Sequence, residues 1–367
     1  MDFNTRLYNY LSKAIKNDFD DNWDYYRFGV EVKESKANII VSFKAFLKKQ
    51  LMRMFLFNGF FTRRFMDAYK QTISQFEFLY SNLEDEESRS LLINVLAYRI
   101  LGHRMVKIDL GNVNYFNSMK EIENQFDQND FILPEKFQVK QCKFNLQKAG
   151  YPITLYLSSL GIFYDFIFKQ YELKRKNIEI KVGKGETVID GGGCFGDTAL
   201  YFSFLTGSKG KVISFEFIPG NISLFNTNME LNPELKSNIV IADNPLWSKS
   251  DINVFYKDDG PGSIVDFKSN FAYDGIVKTI TIDDYVVRNN IKEIDFIKLD
   301  IEGAEFDAIK GAENIIRRDK PKLAVALYHN IEDFNRIPQI LKKFNPAYRF
   351  YFHHATINRE ESVLFAV

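Results

Sequence analysis

The chain has 367 residues, long enough for two domains, and its 48 basic residues balance 48 acidic ones to a formal net charge of zero. That balance gives no electrostatic footing for a nucleic-acid partner. At 46% hydrophobic and 26% charged residues the composition is that of a soluble globular protein, and no apolar run approaches the roughly 20 residues a membrane-spanning helix needs. Cys142 and Cys194 do not make a disulfide framework, so reduced thiols and a cytoplasmic setting are expected. Residues 1–16 lack the apolar core of a signal peptide.

Residues 1–145 read mainly as helices and are expected to form a helical N-terminal domain. Residues 43–66 mix aromatic and aliphatic side chains with Lys44, Lys48, Lys49, Arg53, Arg63 and Arg64. One reading is a basic amphipathic surface for peripheral contact with a membrane or with a partner, a second copy of the chain included. The preferred reading is a helix pair whose aromatic face packs internally. Ser81 or Asn82 can cap a helix with Glu84, Asp85, Glu86 and Glu87 in its first turn, and Leu91, Leu92, Val95, Leu96 and Ile100 follow at helical spacing. Residues 111–134 are polar and read as a long loop. Residues 146–168 hold a strand-like piece and an aromatic helix start, a lead-in placed to cover a cofactor.

Residues 146–367 form the second expected domain. From residue 187 strands and helices alternate, which predicts a mostly parallel sheet with helices on both faces. The runs at 349–353 and 362–367 have only the polar residues 356–361 between them and predict an antiparallel hairpin. A dinucleotide fold would continue with crossover helices instead.

The β-type run 187–189 ends at Asp190 and enters Gly191, Gly193 and Gly196, a G-x-G-x-x-G pattern between strand and helix. Asp197 and Thr198 stand where the next helix begins and suit its capping. Alone, this loop points to a nucleotide-type cofactor. Glu216 ends the next strand at the spacing of a ribose-binding acid, and a carboxylate there can accept hydrogen bonds from both ribose hydroxyls. Phe217 or Ile218 can pack on an adenine. Asn244 can hydrogen-bond its edge, and Leu246 or Trp247 can form its wall; a structural turn is an equal reading of 243–247.

The run 295–299 delivers Asp300 to the same edge, with Glu302 and Glu305 after it. Carboxylates so close together repel, which asks for a cationic partner: a sulfonium, a metal ion or a lysine. Glu305 also reads as a plain helix start, no ligand spacing points to a metal, and Lys298 is placed to pair with one of these acids. His329, at the end of the strand 323–328, is the candidate general base, with Asp300 the second choice. His353 and His354 face opposite sides of a strand, so at most one can share the pocket. Residues 260–263 form a turn that closes over substrate or serves as an ordinary hairpin loop. Asp283 and Asp284 are expected to cap the helix that follows them.

Together, residues 188–192 with Gly196-Asp197-Thr198, residues 215–219, 279–284 and 295–305, extended by Lys310-Gly311-Ala312 and Tyr328-His329, resemble the FkbM family of S-adenosylmethionine-dependent methyltransferases. The resemblance covers residues 180–367. It implies an α/β class I methyltransferase (Rossmann-like) fold, with a seven-stranded sheet and an antiparallel final hairpin. It implies S-adenosylmethionine as cofactor, held by Asp190, Gly191, Gly193, Gly196 and Thr198, with Glu216 on the ribose and Asp300 beside the methionine moiety. It further implies O-methylation of a sugar or glycan acceptor, free or nucleotide-linked, in capsule or lipopolysaccharide biosynthesis. The chain departs from the family in its richer glycine run at Gly192-Gly193 and in Asp243-Asn244-Pro245, and the N-terminal half lies outside the resemblance. Two rival readings use the same loop: an NAD-dependent oxidoreductase, and a cofactor-binding scaffold without catalysis.

Overall fold

The structure, a computed structural model, describes residues 1–31, 60–111, 113–125, 129–268 and 272–367. Residues 43–59 of the basic aromatic stretch lie outside them, and its end forms the helix Phe60–Ala68. No described helix is long and apolar enough to cross a membrane.

The central sheet has seven strands: β1 (Thr187–Gly191), β2 (Lys211–Phe215), β3 (Ile239–Ala242), β4 (Phe296–Leu299), β5 (Lys322–Ala326), β6 (Phe350–His354) and β7 (Ser362–Ala366). Their order is β3-β2-β1-β4-β5-β7-β6. Neighbours pair in parallel except at β7, which runs antiparallel to both β5 and β6. The expected final hairpin is present, with its second strand inserted beside β5. The chain moves outward from β1 in one direction and from β4 in the other, so a crevice opens past the carboxyl ends of these two strands.

Strand residues alternate between two hydrophobic layers, as the pleat requires. Ile189, Ile213, Ile297, Leu323 and Phe352 belong to one, and Val188, Val212, Phe296, Ala324 and Phe365 to the other. The N-terminal helices Phe3–Ala14, Lys70–Asn82 and Glu86–Leu101 contribute Leu7, Phe76, Leu79, Leu92 and Leu96 to the first layer. Phe76 stacks on Phe334 of the helix Asp333–Phe344 at 4.2 Å between centroids. The same helices cover the outer edge of β6: Leu83 bridges to Phe350, the Glu84 N–H donates to the Phe350 carbonyl at 2.9 Å, and the Phe352 N–H donates to Ser88 Oγ at 2.9 Å. An uncovered edge would be a template for unwanted strand pairing.

Two expectations change. Residues 111–134 are not all loop, because Tyr115–Glu123 is a helix capped by Asn114 and buries Tyr115, Met119 and Ile122. Those apolar residues recur at helical spacing within polar flanks, and the second layer supplies the surface they need. Within the region expected to alternate into one sheet, the strand Asn253–Lys257 does not join it; it pairs with Ile264–Asp266 and Gly275–Lys278 in a small antiparallel sheet. A further small sheet of Phe131–Ile132, Gln141–Asn145 and Thr154–Leu157 spans residues 145 and 146. Both cysteines are free.

If the N-terminal helices are part of the working core, Phe76→Ala will destabilise the protein by about 3–5 kcal/mol, the usual result of emptying a buried phenylalanine site. Equilibrium urea unfolding measures this, and a loss below about 1 kcal/mol would show that the helices add little to the fold.

Candidate active site

The loop after β1 is built on a buried ion pair. Asp190 and Lys298 are partners in the β1–β4 register, and Lys298 Nζ lies 3.1 Å from Asp190 Oδ1. Asp190 also accepts from Thr198 Oγ1 at 3.0 Å and Ser214 Oγ at 2.7 Å, while Lys298 Nζ donates to the carbonyls of Gly191 (3.0 Å) and Gly192 (2.8 Å). Burial opposes the lysine's charge, but Asp190 outweighs it and the ammonium pKa is raised. Lys298 therefore pairs with Asp190, not with an acid of the 300–305 stretch. The Thr198 hydroxyl is drawn inward to Asp190, so the next helix, Asp197–Thr206, has Gly196 at its N-cap and no side-chain cap.

Gly192 has φ +82°, and a Cβ there would stand 1.9 Å from the Asp300 carbonyl oxygen. Only glycine lets the loops after β1 and β4 lie this close. Gly196, at φ +83°, would set a Cβ 2.2 Å from the Phe225 ring. Asp190, Gly191, Gly193 and Gly196 line neither of the clefts described below, and of the expected cofactor-loop contacts only Thr198 does. Gly192 and Cys194 form the cleft surface of the loop instead. The reason is geometric: Gly191 lies against Leu299 and Leu246, Gly193 against Ser214, and Gly196 against Phe225, all on the sheet and helix side.

A cleft of about 700 Å³ opens beside β2. Its floor carries Glu216, 6% exposed, whose Oε1 accepts the N–H groups of Phe217 and Ile218 at 2.8 Å each. Asn221 Nδ2 lies 3.2 Å from Oε2. Burial pushes the Glu216 carboxyl up to about 7 against these donors. Phe217, Asn244 and Leu246 line the same cleft, as expected. Trp247 does not; its ring packs on Phe267. The Gly260–Gly262 turn closes one side and its first carbonyl accepts from Asn221 Nδ2 at 3.3 Å.

A second cleft, of about 2180 Å³, meets the first across Gly192, Cys194, Asp300 and Glu302. Asp300 Oδ2 accepts from Tyr171 Oη at 2.6 Å, and Oδ1 from Tyr328 Oη at 3.1 Å. The His329 ring stands beside it, with Nε2 3.6 Å from Asp300 Oδ1 and 3.4 Å from Glu302 Oε2. Its Nδ1–H donates to Glu305 Oε1 at 2.9 Å, and Glu305, fully buried, also accepts the Ile301 N–H at 2.8 Å. Burial alone would discharge the ring, but the nearby Glu302 carboxylate, the hydrogen bond to Glu305 and the charge of Asp300 outweigh it, and the pKa rises to about 11. His329 is thus an imidazolium at neutral pH and has no lone pair with which to act as a base. Asp300, Glu305 and His329 also offer ligand atoms within 4.8 Å of one another; a divalent ion there would have to displace the imidazolium proton.

Comparisons with known proteins bear on this pair of clefts. Residues 190–350 match the family model described as the methyltransferase FkbM domain. Over these residues, under half of the chain, the sequence is similar to an FkbM methyltransferase domain. Among solved structures, methyltransferase FkbM from Methylobacillus flagellatus KT aligns at a TM-score of 0.50 and 17% identity, over 82% of this chain and 60% of that one. This chain therefore spans 60% of that structure's length and shares its fold. Aeropyrum pernix fibrillarin, in complex with natively bound S-adenosyl-L-methionine, aligns at 0.33 and 15% identity, covering 52% of this chain and 70% of that one. A SAM-dependent O-methyltransferase from Thermotoga maritima aligns at 0.29 and 14%, covering 50% and 60%. None of the curated proteins matches the chain.

Within the matched residues, Glu216, Phe217, Asn244 and Leu246 gather in one cleft, Asp300 stands where it meets the other, and His329 lines that second cleft beside it. Glu305 does start a helix, as one reading had it, and is also the buried orienter of His329. Neither His353 nor His354 lines a cleft, and burial holds both down to about 3. Asp283 caps the helix Glu313–Asp319 through the Asn314 and Ile315 N–H groups, while Thr281 caps its own helix, Ile282–Arg288. Sequence reasoning missed Asp165, which reaches the second cleft from the lead-in segment, and Tyr171, which reaches it from just after that segment. A lone acid inside the aromatic run 163–166 was the one signal available.

The His329 pKa lies at about 11, above its ordinary 6.5, so its ion pairs stabilise the fold fully below pH 6.5 and are lost as pH rises through 11. The stability difference between wild type and His329→Gln should be widest below pH 6.5 and shrink toward pH 11. Urea unfolding across that range measures it, and a difference independent of pH would mean the ring is neutral throughout.

Proposed function

We propose that the chain methylates a hydroxyl of a sugar or glycan acceptor, free or nucleotide-linked, in the making of a bacterial surface polysaccharide. The supporting observation is the meeting of two unlike clefts at Asp300 and Glu302. The smaller one has a buried carboxylate that suits a ribose, an apolar wall at Phe217 and Leu246, and an amide at Asn244. These residues fit the adenosine of S-adenosylmethionine, which when bound supplies an electrophilic methyl group. The larger cleft is polar and aromatic, as a carbohydrate requires, with Tyr164, Tyr171, Tyr328, Gln141 and Gln170 on its walls.

A sugar hydroxyl is a weak nucleophile until a base takes its proton. In this reading that base is Asp300, not His329. Asp300 stands at the junction, oriented by two phenolic hydroxyls and flanked by the imidazolium. His329 acts through it, fixing its place and balancing the charge of the surrounding acids. Tyr171 also presents its ring to Lys298 Nζ at 5.2 Å, so the hydroxyl that orients Asp300 is itself held against the β1–β4 ion pair.

Purification followed by mass spectrometry should find S-adenosylmethionine or its demethylated product carried with the protein. Asp300→Asn should lower kcat by roughly 10²- to 10⁴-fold, the range for loss of a general base. Full turnover by this variant at saturating acceptor would remove Asp300 from that role. Cells lacking the gene should show surface glycans missing one methyl mass; an unchanged glycan profile would count against the acceptor class.

A further inference from the structure

Part of the larger cleft is lined by three guanidinium groups, those of Arg27, Arg99 and Arg359, together with the carboxylates of Glu360 and Glu361. The transfer step uses none of them. Arg27 takes both acids: its Nε lies 2.5 Å from Glu360 Oε2 and its Nη1 2.9 Å from Glu361 Oε1. The other acids on this cleft are held elsewhere, Asp300 and Glu302 beside His329, and Asp165 by Asp197. Arg99 and Arg359 have no ion pair among the described residues.

Arg99 comes from the helix Glu86–Leu101, and its guanidinium lies over the Phe334 ring, 5.3 Å from the centroid. A guanidinium has five N–H donors. Here Nη2 donates to the Arg359 carbonyl at 2.7 Å, and Nε is buried with no partner. Buried donors are normally satisfied, and buried charges are normally paired. Burial and the neighbouring Arg359 push the Arg99 pKa down to about 10, against the pull of Glu360. The group stays charged at neutral pH, with that charge incompletely balanced. Arg359, an exposed residue of the turn between β6 and β7, adds a second positive charge to the same cleft. Both arginines lie outside residues 190–350, so the pair is a feature of this chain and not of the matched stretch. Two unengaged guanidinium groups are the complement of an oxyanion, which such a group grips through two parallel N–H bonds.

We infer that Arg99 and Arg359 form a subsite for an oxyanion carried by the acceptor, a phosphate or a carboxylate, so that the molecule to be methylated is acidic. Asp300 lines the same cleft, so one molecule can set its anionic group against the arginines and a hydroxyl at the junction. At about 2180 Å³ the cleft exceeds the roughly 300–1,000 Å³ of an ordinary small-molecule site, which leaves room for both parts. Two sources supply such an anion: the phosphate linkage of a nucleotide-linked sugar and the carboxylate of a uronic acid. That the anion belongs to the acceptor rests on the methyl-transfer reading; the anion site itself does not.

The test is calorimetric titration of the full chain, at fixed ionic strength, with inorganic pyrophosphate, with methyl glucuronide and with neutral methyl glucoside. Wild type should bind one of the two anions at least roughly tenfold more tightly than the glucoside. Preference for pyrophosphate marks a nucleotide-linked acceptor, and preference for the glucuronide an acidic sugar. Arg99→Gln should weaken the preferred anion roughly 10- to 100-fold, the scale of lost charge-assisted hydrogen bonds. Arg359→Gln should weaken it roughly 2- to 5-fold, because an exposed charge is screened. No preference of wild type for either anion, or equal affinity of wild type and Arg99→Gln, overturns the subsite. S-adenosylhomocysteine should bind all three proteins alike, which also shows that the variants fold; should Arg99→Gln fail to fold, Arg359→Gln decides by the same criterion. If S-adenosylhomocysteine binds none of them while the anion results hold, the subsite stands and the methyl-transfer reading falls.

Discussion

The structure depends on the buried contact between Lys298 and Asp190. The two residues face each other across the β1–β4 pair, and neither has appreciable exposure. A buried charge stranded by loss of its partner is strongly destabilising, commonly by about 3–5 kcal/mol. Here each end is further satisfied: the lysine by two loop carbonyls, the aspartate by Thr198 and Ser214. One contact therefore ties β1, β2, β4 and the first turn of the helix Asp197–Thr206 together at the mouth of the crevice. The approach of Gly192 to the Asp300 carbonyl follows from it, and so does the meeting of the two clefts.

Around that anchor the charges are sorted by burial and not by count. Asp300, Glu302 and Glu305 come from one short loop and would repel if left alone. Folding brings β5 alongside β4 in parallel register, which sets His329 among them. The acids hold the imidazole charged, and the imidazolium in turn makes three close carboxylates tolerable. A histidine whose position at a strand end suggests a base thus becomes the counter-ion of the acids around it. Glu216 shows the opposite balance: backbone N–H groups hold it in place, and burial still raises its pKa to about 7.

The N-terminal helices are structural partners of the seven-stranded sheet. They complete one of the two hydrophobic layers and cover the edge of β6, while Arg175 links Asp85, Ser88 and the Phe352 carbonyl at 2.5–2.8 Å. Arg27, from the N-terminal segment, reaches the far wall of the larger cleft and pairs with Glu360 and Glu361. The larger cleft is thus assembled from parts of the chain more than 300 residues apart.

Local pattern determined a good deal on its own. The alternation of strands and helices, the polar gap before the last strand, the glycine loop, and Glu216 and Asp300 at strand ends are each written within a few residues. They sufficed for the sheet, its reversed final strand and the carboxyl edge on which the site lies. What each side chain meets is a matter of register and packing between segments distant in the chain. Tertiary structure alone decided that Lys298 neutralises Asp190, that Thr198 turns inward, that Gly192 and not Gly193 faces the cleft, and that Glu305 orients His329. It also decided that Asp165 and Gln170, from a segment ahead of the sheet, line the same cleft as Gly192 and Cys194. The physical reason is that charge state and accessibility depend on neighbours brought by folding, whereas strand and helix patterns depend on the periodicity of the chain itself.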